Sequence, residues 1–288
     1  MEPAIFINTV ANGVLLGGFL ALMAWSMSVL LGVAKVLNLA HGDFIVLAAY
    51  LYFALLPYVK NPFLALPVAT AIIVAIGFIY YRFSLHKLIP RGLNDIALFT
   101  FATSIIIQNA LLVAFTADQR MIRVPELYRP VLVGNIALGL RYILNFAIAL
   151  ILFIVLYLFY KRTLVGKVMR GVPYDNIAAQ ILGIDVKKIY GYVMIIAMLI
   201  TGVAGLFFGI TFLFNPSAGT LYTLLSLAVV VMGGMGSLRG TFIGGIIIGI
   251  VYTIAGLFLP VALQFAVTYL VTLIMLIIRP QGLFGEKV

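Results

Sequence analysis

Residues 161–192 read KRTLVGKVMRGVPYDNIAAQILGIDVKKIYGY, between long apolar runs. With six basic and two acidic residues, this is the longest stretch of the chain that a lipid bilayer would reject. It carries a helix signal of its own. Pro173 can occupy a first turn, Asp175 or Asn176 can cap orphan N–H groups, and Gly183 can stop the helix. Between cap and stop, Ile177, Ala178, Ile181 and Leu182 fall three and four apart and share one face. Lys187 and Lys188 follow the C-terminal end, where a helix dipole favours cations. The pattern predicts a short helix over Tyr174–Leu182. Its apolar face cannot be buried within its own loop and calls for a partner, the membrane surface or neighbouring spans.

Outward from this stretch, composition sets the class. Of 288 residues, 65% are hydrophobic and 9% charged, with a mean hydropathy of +1.23. Soluble domains carry roughly a quarter charged residues. The apolar runs far exceed the ~10-residue alternating strands of a membrane barrel. The expected fold is therefore all-α: a polytopic integral membrane helix bundle of about eight to ten spans, some short or broken. Residues 1–288 read as one transmembrane domain, with a cytosolic loop over residues 161–190. Cysteine is absent, which excludes disulfides and thiolate chemistry. The N-terminal MEPAIFINTV has no basic leader, so no cleaved signal is expected.

The predicted spans are Ile5–Leu31, Phe44–Tyr58, Phe63–Tyr81, Asp95–Thr116, Leu140–Tyr160, Tyr190–Phe214, Leu221–Met232, Thr241–Leu259 and Val261–Ile278. The second and seventh are short for a ~30 Å hydrocarbon core. With the N-terminus outside, only Lys60, Arg120, Arg123, Arg129 and Arg141 of the 18 basic residues lie on the outer side. The rest, from Lys35 to Lys287, lie inside. This asymmetry predicts N-terminus out and C-terminus in. It also explains the net charge of +10 better than nucleic-acid binding does. Tyr80, Tyr81, Tyr157, Tyr160, Tyr190 and Tyr192 end spans beside basic loops, as an interfacial aromatic belt would.

Two more stretches break the apolar pattern: Asn38-Leu39-Ala40-His41-Gly42-Asp43 and Gly233-Gly234-Met235-Gly236-Ser237-Leu238-Arg239-Gly240. Each joins a short span to its neighbour, one in each half of the chain. Interrupted spans at matching positions point to an internal repeat and a transport pathway, although no residue similarity accompanies them. Asn38, His41, Gly42, Asp43, Gly233, Gly234, Gly236 and Ser237 are thus candidates for a broken helix or a translocation path. His41 and Asp43 could also suggest a general base or a metal pair. Two residues make no ligand set, and HExxH, paired carboxylates and Cys–His sets are all missing. A structural role at a broken helix, near the membrane interface, and a polar lining both remain open. The glycine-rich segment lacks the G-K-[ST] ending of a phosphate loop. No cofactor, metal or catalytic residue is expected.

Ser26, Ser28, Thr100, Thr103, Ser104, Gln108 and Asn109 are polar groups within spans. The amides of Gln108 and Asn109 need partners in lipid, either as glue between helices or as the lining of a conduit. Gly205–Gly209 and Gly245–Gly249 are GxxxG pairs that allow close helix packing.

Asn38-Leu39-Ala40-His41-Gly42-Asp43-Phe44 resembles the N-F-A-H-G segment of permease subunits of branched-chain amino acid ABC importers. Gly166-Lys167-Val168-Met169-Arg170, with Asp175, Ala178, Ala179 and Leu182-Gly183-Ile184-Asp185, is similar to that family's cytosolic loop. Val231-Met232-Gly233-Gly234-Met235-Gly236-Ser237 and Arg279-Pro280-Gln281-Gly282-Leu283-Phe284-Gly285 resemble its G-G-x-G-S turn and its R-P-x-G-L-F-G ending. Leu39 stands where Phe is frequent, Arg239 where Pro is common, and Ile177 in the Glu place of the wider E-A-A loop. The resemblance implies a permease without a nucleotide site, and so no enzyme. Its partners would be a second permease, two cytosolic ATPases and an extracytoplasmic substrate-binding protein. Asp175, Ile177, Ala178, Ala179, Ile181, Leu182 and Gly183 would form the helix that couples to an ATPase. Substrates would be branched-chain or other hydrophobic amino acids; urea, short amides or another small polar solute are alternatives. A self-sufficient carrier would need ionisable groups in the spans, and the predicted spans offer almost none.

Overall fold

The structure, a computed structural model, describes residues 3–134 and 136–285. Lys287, one of the predicted inner cations, lies outside them. In chain order the elements are α1 (Pro3–Val29), α2 (His41–Val59), α3 (Leu66–Tyr80), a one-turn α4 (His86–Leu88) and α5 (Leu93–Phe115). Then come β1 (Pro130–Val133), β2 (Ile136–Gly139), α6 (Leu140–Arg162), α7 (Leu164–Gly171) and α8 (Asn176–Ile181). Last are α9 (Val186–Thr211), α10 (Gly219–Gly233), α11 (Leu238–Ala255) and α12 (Val261–Ile278). Among the described residues, eight helices are long and apolar enough to cross a membrane, while α10 is too short. The all-α polytopic expectation holds.

The differences are local. A wide π-helical turn, Leu30–Ala34, prolongs α1, and a second, Tyr81–Leu85, carries α3 on to Arg91. Residues 161–192 are mostly helical, with α7 unanticipated. The predicted helix Tyr174–Leu182 is shorter, and Pro173 precedes its cap instead of filling its first turn. The connection between α5 and α6 holds an antiparallel hairpin pairing Pro130 with Gly139 and Val133 with Ile136.

The chain packs as two compact units. One comprises Met1–Trp25, Arg123–Phe153 and Leu224–Val288. Within it, Gly13 and Gly17 of α1 meet Gly245 and Gly249 of α11. A Cβ on Gly17 would lie 2.5 Å from the Ile246 Cα, so only glycine permits this approach. Trp25, Phe153 and Phe242 form one aromatic cluster, Trp25 lying 5.6 and 5.8 Å from the two phenylalanines, and its indole N–H donates to the Leu238 carbonyl at 3.1 Å. Asn8 and Asn12 of α1 accept from the N–H groups of Ala137 and Gly139, which satisfies the edge of β2.

The other unit comprises Ser26–Ile122 and Ile154–Thr223. Helix α9 is its axis, packed by α2 and α3. Gly205 lies against Ala48, Gly202 against Thr70 and Gly77 against Met198. The Tyr52 hydroxyl donates to the Gly202 carbonyl at 3.1 Å and sits 3.0 Å from Thr70, tying the three helices together. Tyr81 and Tyr190 are buried and do not form a belt. The Tyr81 hydroxyl donates to the Lys187 carbonyl at 2.6 Å.

Candidate functional site

Two arrangements in the second unit gather most of the candidate residues. The first is the hydrophilic stretch of residues 161–192. Thr163 caps α7 by accepting the Gly166 N–H at 3.0 Å. Asp175 caps α8, its carboxylate accepting the N–H groups of Ile177 and Ala178 at 2.9 and 2.8 Å. At the other end Gly183 takes φ +79°. Its N–H donates to the Gln180 carbonyl and the Ile184 N–H to Ala179, the crossed pair of a left-handed helix stop. Asp185 then caps α9, and the Lys188 N–H holds its carboxyl below the usual carboxylate range.

This six-residue helix is therefore secured at both ends. It rests on α9 through the buried Ala179 and through the Asn176 amide, which donates to the Tyr190 hydroxyl at 2.9 Å. Its remaining apolar side chains are bare. Ile177, Ile181 and Leu182 are 73%, 80% and 79% exposed. Of the predicted coupling residues, Asp175 and Gly183 shape the helix, Ala178 and Ala179 face its own chain, and the three large aliphatics form an outward patch.

The second arrangement is the break between α1 and α2. Its depth corrects the sequence reading, which put His41 and Asp43 near the membrane interface. Thr100 Oγ1 accepts the Leu39 N–H at 3.1 Å, and the Gln108 amide donates to Asp43 Oδ1 at 2.9 Å. Thr100 and Gln108 each lie seven residues from an end of the 23-residue α5, about 10 Å along its axis. The break thus lies beside the middle of a spanning helix. Asn38, His41 and Asp43 are 1%, 2% and 0% exposed. Asn38 Oδ1 accepts the Ala40 N–H, and His41 Nε2 sits 3.5 Å from Ser26 Oγ.

What faces this break was not singled out from the sequence: it is the start of α10. The Gly42 N–H donates to Thr223 Oγ1 at 2.7 Å, and a Cβ on Gly42 would collide with the Gly219 carbonyl. Asp43 in turn occupies the space that a side chain on Gly219 would need. The N-termini of two helices, one too short to span, therefore converge halfway along α5, the arrangement found where broken helices present dipole ends to a transported group. Gln108 joins them, its amide nitrogen also lying 3.0 Å from Thr220 Oγ1 and 3.1 Å from Ser104 Oγ. The sequence signal was the turn-rich Asn215-Pro216-Ser217-Ala218-Gly219-Thr220. Beside it lies a cavity of about 190 Å³ lined by Gln108, Asn109, Leu112, Ala117, Asn215, Pro216 and Ser217. Asn109 turns its amide to the Ile105 carbonyl at 2.8 Å.

Gly233, Gly234, Gly236 and Ser237 belong to the other unit. They form the turn from α10 to α11, with Ser237 capping α11 by accepting the Gly240 N–H at 3.0 Å. Gly233 and Gly234 are buried, but Met235 and Gly236 are exposed, so only half of this segment is interior. Among the described residues, no group of three His, Asp or Glu side chains could hold a metal ion.

The family described as branched-chain amino acid transport system / permease component matches residues 9–279. The high-affinity branched-chain amino acid transport system permease protein LivH of Escherichia coli (strain K12) is 24% identical, over 98% of this chain and 96% of its own. The corresponding BraD of Pseudomonas aeruginosa is 25% identical, over 98% and 96%. The probable permease LivH of Methanocaldococcus jannaschii is 26% identical, over 95% and 91%. No solved structure matches.

Proposed function

The chain belongs to the branched-chain amino acid transport system permease family, and from that premise we propose that it is the membrane subunit of an ATP-driven importer of branched-chain or similar hydrophobic amino acids. In this reading it works with a second permease, takes substrate from an extracytoplasmic binding protein and is driven by two cytosolic ATPases. It forms one functional transmembrane domain, with its N-terminus outside and α7–α8 in the cytosol.

One observation carries the coupling assignment. Helix α8 is capped at both ends yet leaves Ile177, Ile181 and Leu182 bare. A helix this short does not hold together in water by itself, so its caps serve a fixed shape. Three aliphatic side chains on such a shape suit a hydrophobic groove on a protein. They make a poor membrane anchor, because so little apolar area would enter lipid. Closure of the ATPases would then push α8 against α9 through Ala179 and the Asn176–Tyr190 pair. Along α9 that push reaches α2, and with it the converging N-termini beside Gln108.

His41 and Asp43 beside the middle of α5 remove the reason, drawn from sequence, for setting aside an ion-coupled carrier. Membership of the permease family supports the ATP-driven reading over it. The test is co-purification of the assembled complex from the native host. Ile177→Ser with Ile181→Ser removes apolar contact without touching buried groups. The variant subunit should express and insert as the parent does, but lose its ATPases and ATP-driven uptake of leucine. Retention of both would overturn the coupling assignment.

A further inference from the structure

Asp43 is the one acid among the described residues that is fully buried, and it is only half satisfied. Oδ1 accepts from the Gln108 amide, while Oδ2 has no hydrogen-bond partner among the described residues. A buried carboxylate with a free oxygen is costly unless a counter-charge reaches it. The structure contains no cation near it: among the described residues, both salt bridges lie elsewhere, at Asp118 and Asp185. A proton, or a cation from outside the described residues, would offset that cost.

The route to it is set by one side chain. Gln108 touches Asp43 on one side and lines the 190 Å³ cavity on the other, with Asn109, Leu112, Asn215 and Ser217. Its amide also bonds Thr220 at the start of α10. Gln108 is half-buried and is the side chain shared by the cavity lining and the contact to Asp43. The cavity itself offers amides, a hydroxyl and aliphatic carbon, with no charged group.

We propose that Asp43 Oδ2 receives the ammonium group of the transported amino acid, with Gln108 as the amide that screens it until substrate enters the cavity. Leu112 and Pro216 then meet the aliphatic side chain. The ammonium supplies the charge that the buried carboxylate lacks and forms a charge-assisted hydrogen bond. A neutral amide or a sugar offers no such charge, so Asp43 makes the path selective for amines. This rests on the importer reading above.

The test uses the whole importer in proteoliposomes, with two fragments of leucine presented on the ATPase side, away from the binding protein. 3-Methylbutylammonium keeps the ammonium, and 4-methylpentanoate keeps the carboxylate. The ammonium fragment should inhibit ATP-driven leucine uptake at a concentration at least tenfold lower. In Asp43→Asn that advantage should fall below twofold, read as a ratio within the variant whatever its rate. In Gln108→Ala it should persist. If the carboxylate fragment inhibits the parent equally or better, the proposal fails without any variant. An advantage kept in Asp43→Asn, or lost in Gln108→Ala, also overturns it. Absence of leucine uptake by the parent would instead refute the importer reading.

Discussion

The backbone N–H of Leu283 donates to the carbonyl of Met232 at 3.0 Å, and Phe284 does the same to Gly233 at 3.0 Å. Met232 and Gly233 end α10, where carbonyls lack partners within the helix. The R-P-Q-G-L-F-G segment is thus the C-terminal cap of a helix fifty residues earlier in the chain, which joins two of the recognised motifs physically. Gly282 makes this possible at φ +76°, with its Cα side facing the Val231 carbonyl. Gly282→Val combines a left-handed side chain, costing about 1–2 kcal/mol, with a clash against that carbonyl. The purified protein should show a clearly lower unfolding temperature by thermal fluorescence, and Phe284→Ala a smaller loss.

Gly42 and Gly236 should respond differently to the same change. Gly42→Ala drives a methyl into the Gly219 carbonyl and Thr223. Backbone must move, at a cost of about 2–3 kcal/mol or more, and monodisperse protein in detergent should be largely lost. Gly236 is exposed at φ +80°. Gly236→Ala should cost about 1 kcal/mol through its backbone alone and leave the yield close to the parent's.

Helix α8 should depend on its ends. Gly183→Val places a branched side chain at φ +79°, and Asp175→Ala removes a cap worth about 1 kcal/mol. Each variant should insert and purify normally while losing substrate-stimulated ATP hydrolysis in the assembled complex. Tyr190→Phe, which frees Asn176 from α9, should retain its ATPases but hydrolyse ATP with weaker dependence on substrate.

Orientation can be read on a chain without native cysteine. Leu132 in strand β1 of the hairpin is 72% exposed, and Gln180 of α8 is exposed. Leu132→Cys should react with an impermeant thiol reagent on intact cells. Gln180→Cys should react only after permeabilisation, and the reverse pattern would invert the topology.

Whether these elements were legible in the sequence depended on how local their cause is. Val261–Ile278 is a helix with the predicted ends, because an apolar run between Pro260 and Arg279 reports its own solvent. Gly183 was legible because a helix stop is built from neighbours. The hairpin was missed although Val131-Leu132-Val133-Gly134-Asn135-Ile136 spells a two-residue turn. Its strands are short, and the outer edge of β2 is held by Asn8 and Asn12, more than a hundred residues away.

The sequence by itself determined a membrane-spanning helical permease and the place of the capped helix α8, though not of α7. Transfer of each segment between water and lipid, and the capping of each helix end, are decided within a few residues. Only the tertiary structure decided that Asn38–Asp43 lies beside the middle of α5 and meets Gly219–Thr223. The Gly42–Thr223 hydrogen bond closes a separation of 181 residues. Glycines and a buried acid show where a chain can be approached closely, but what approaches is settled by packing.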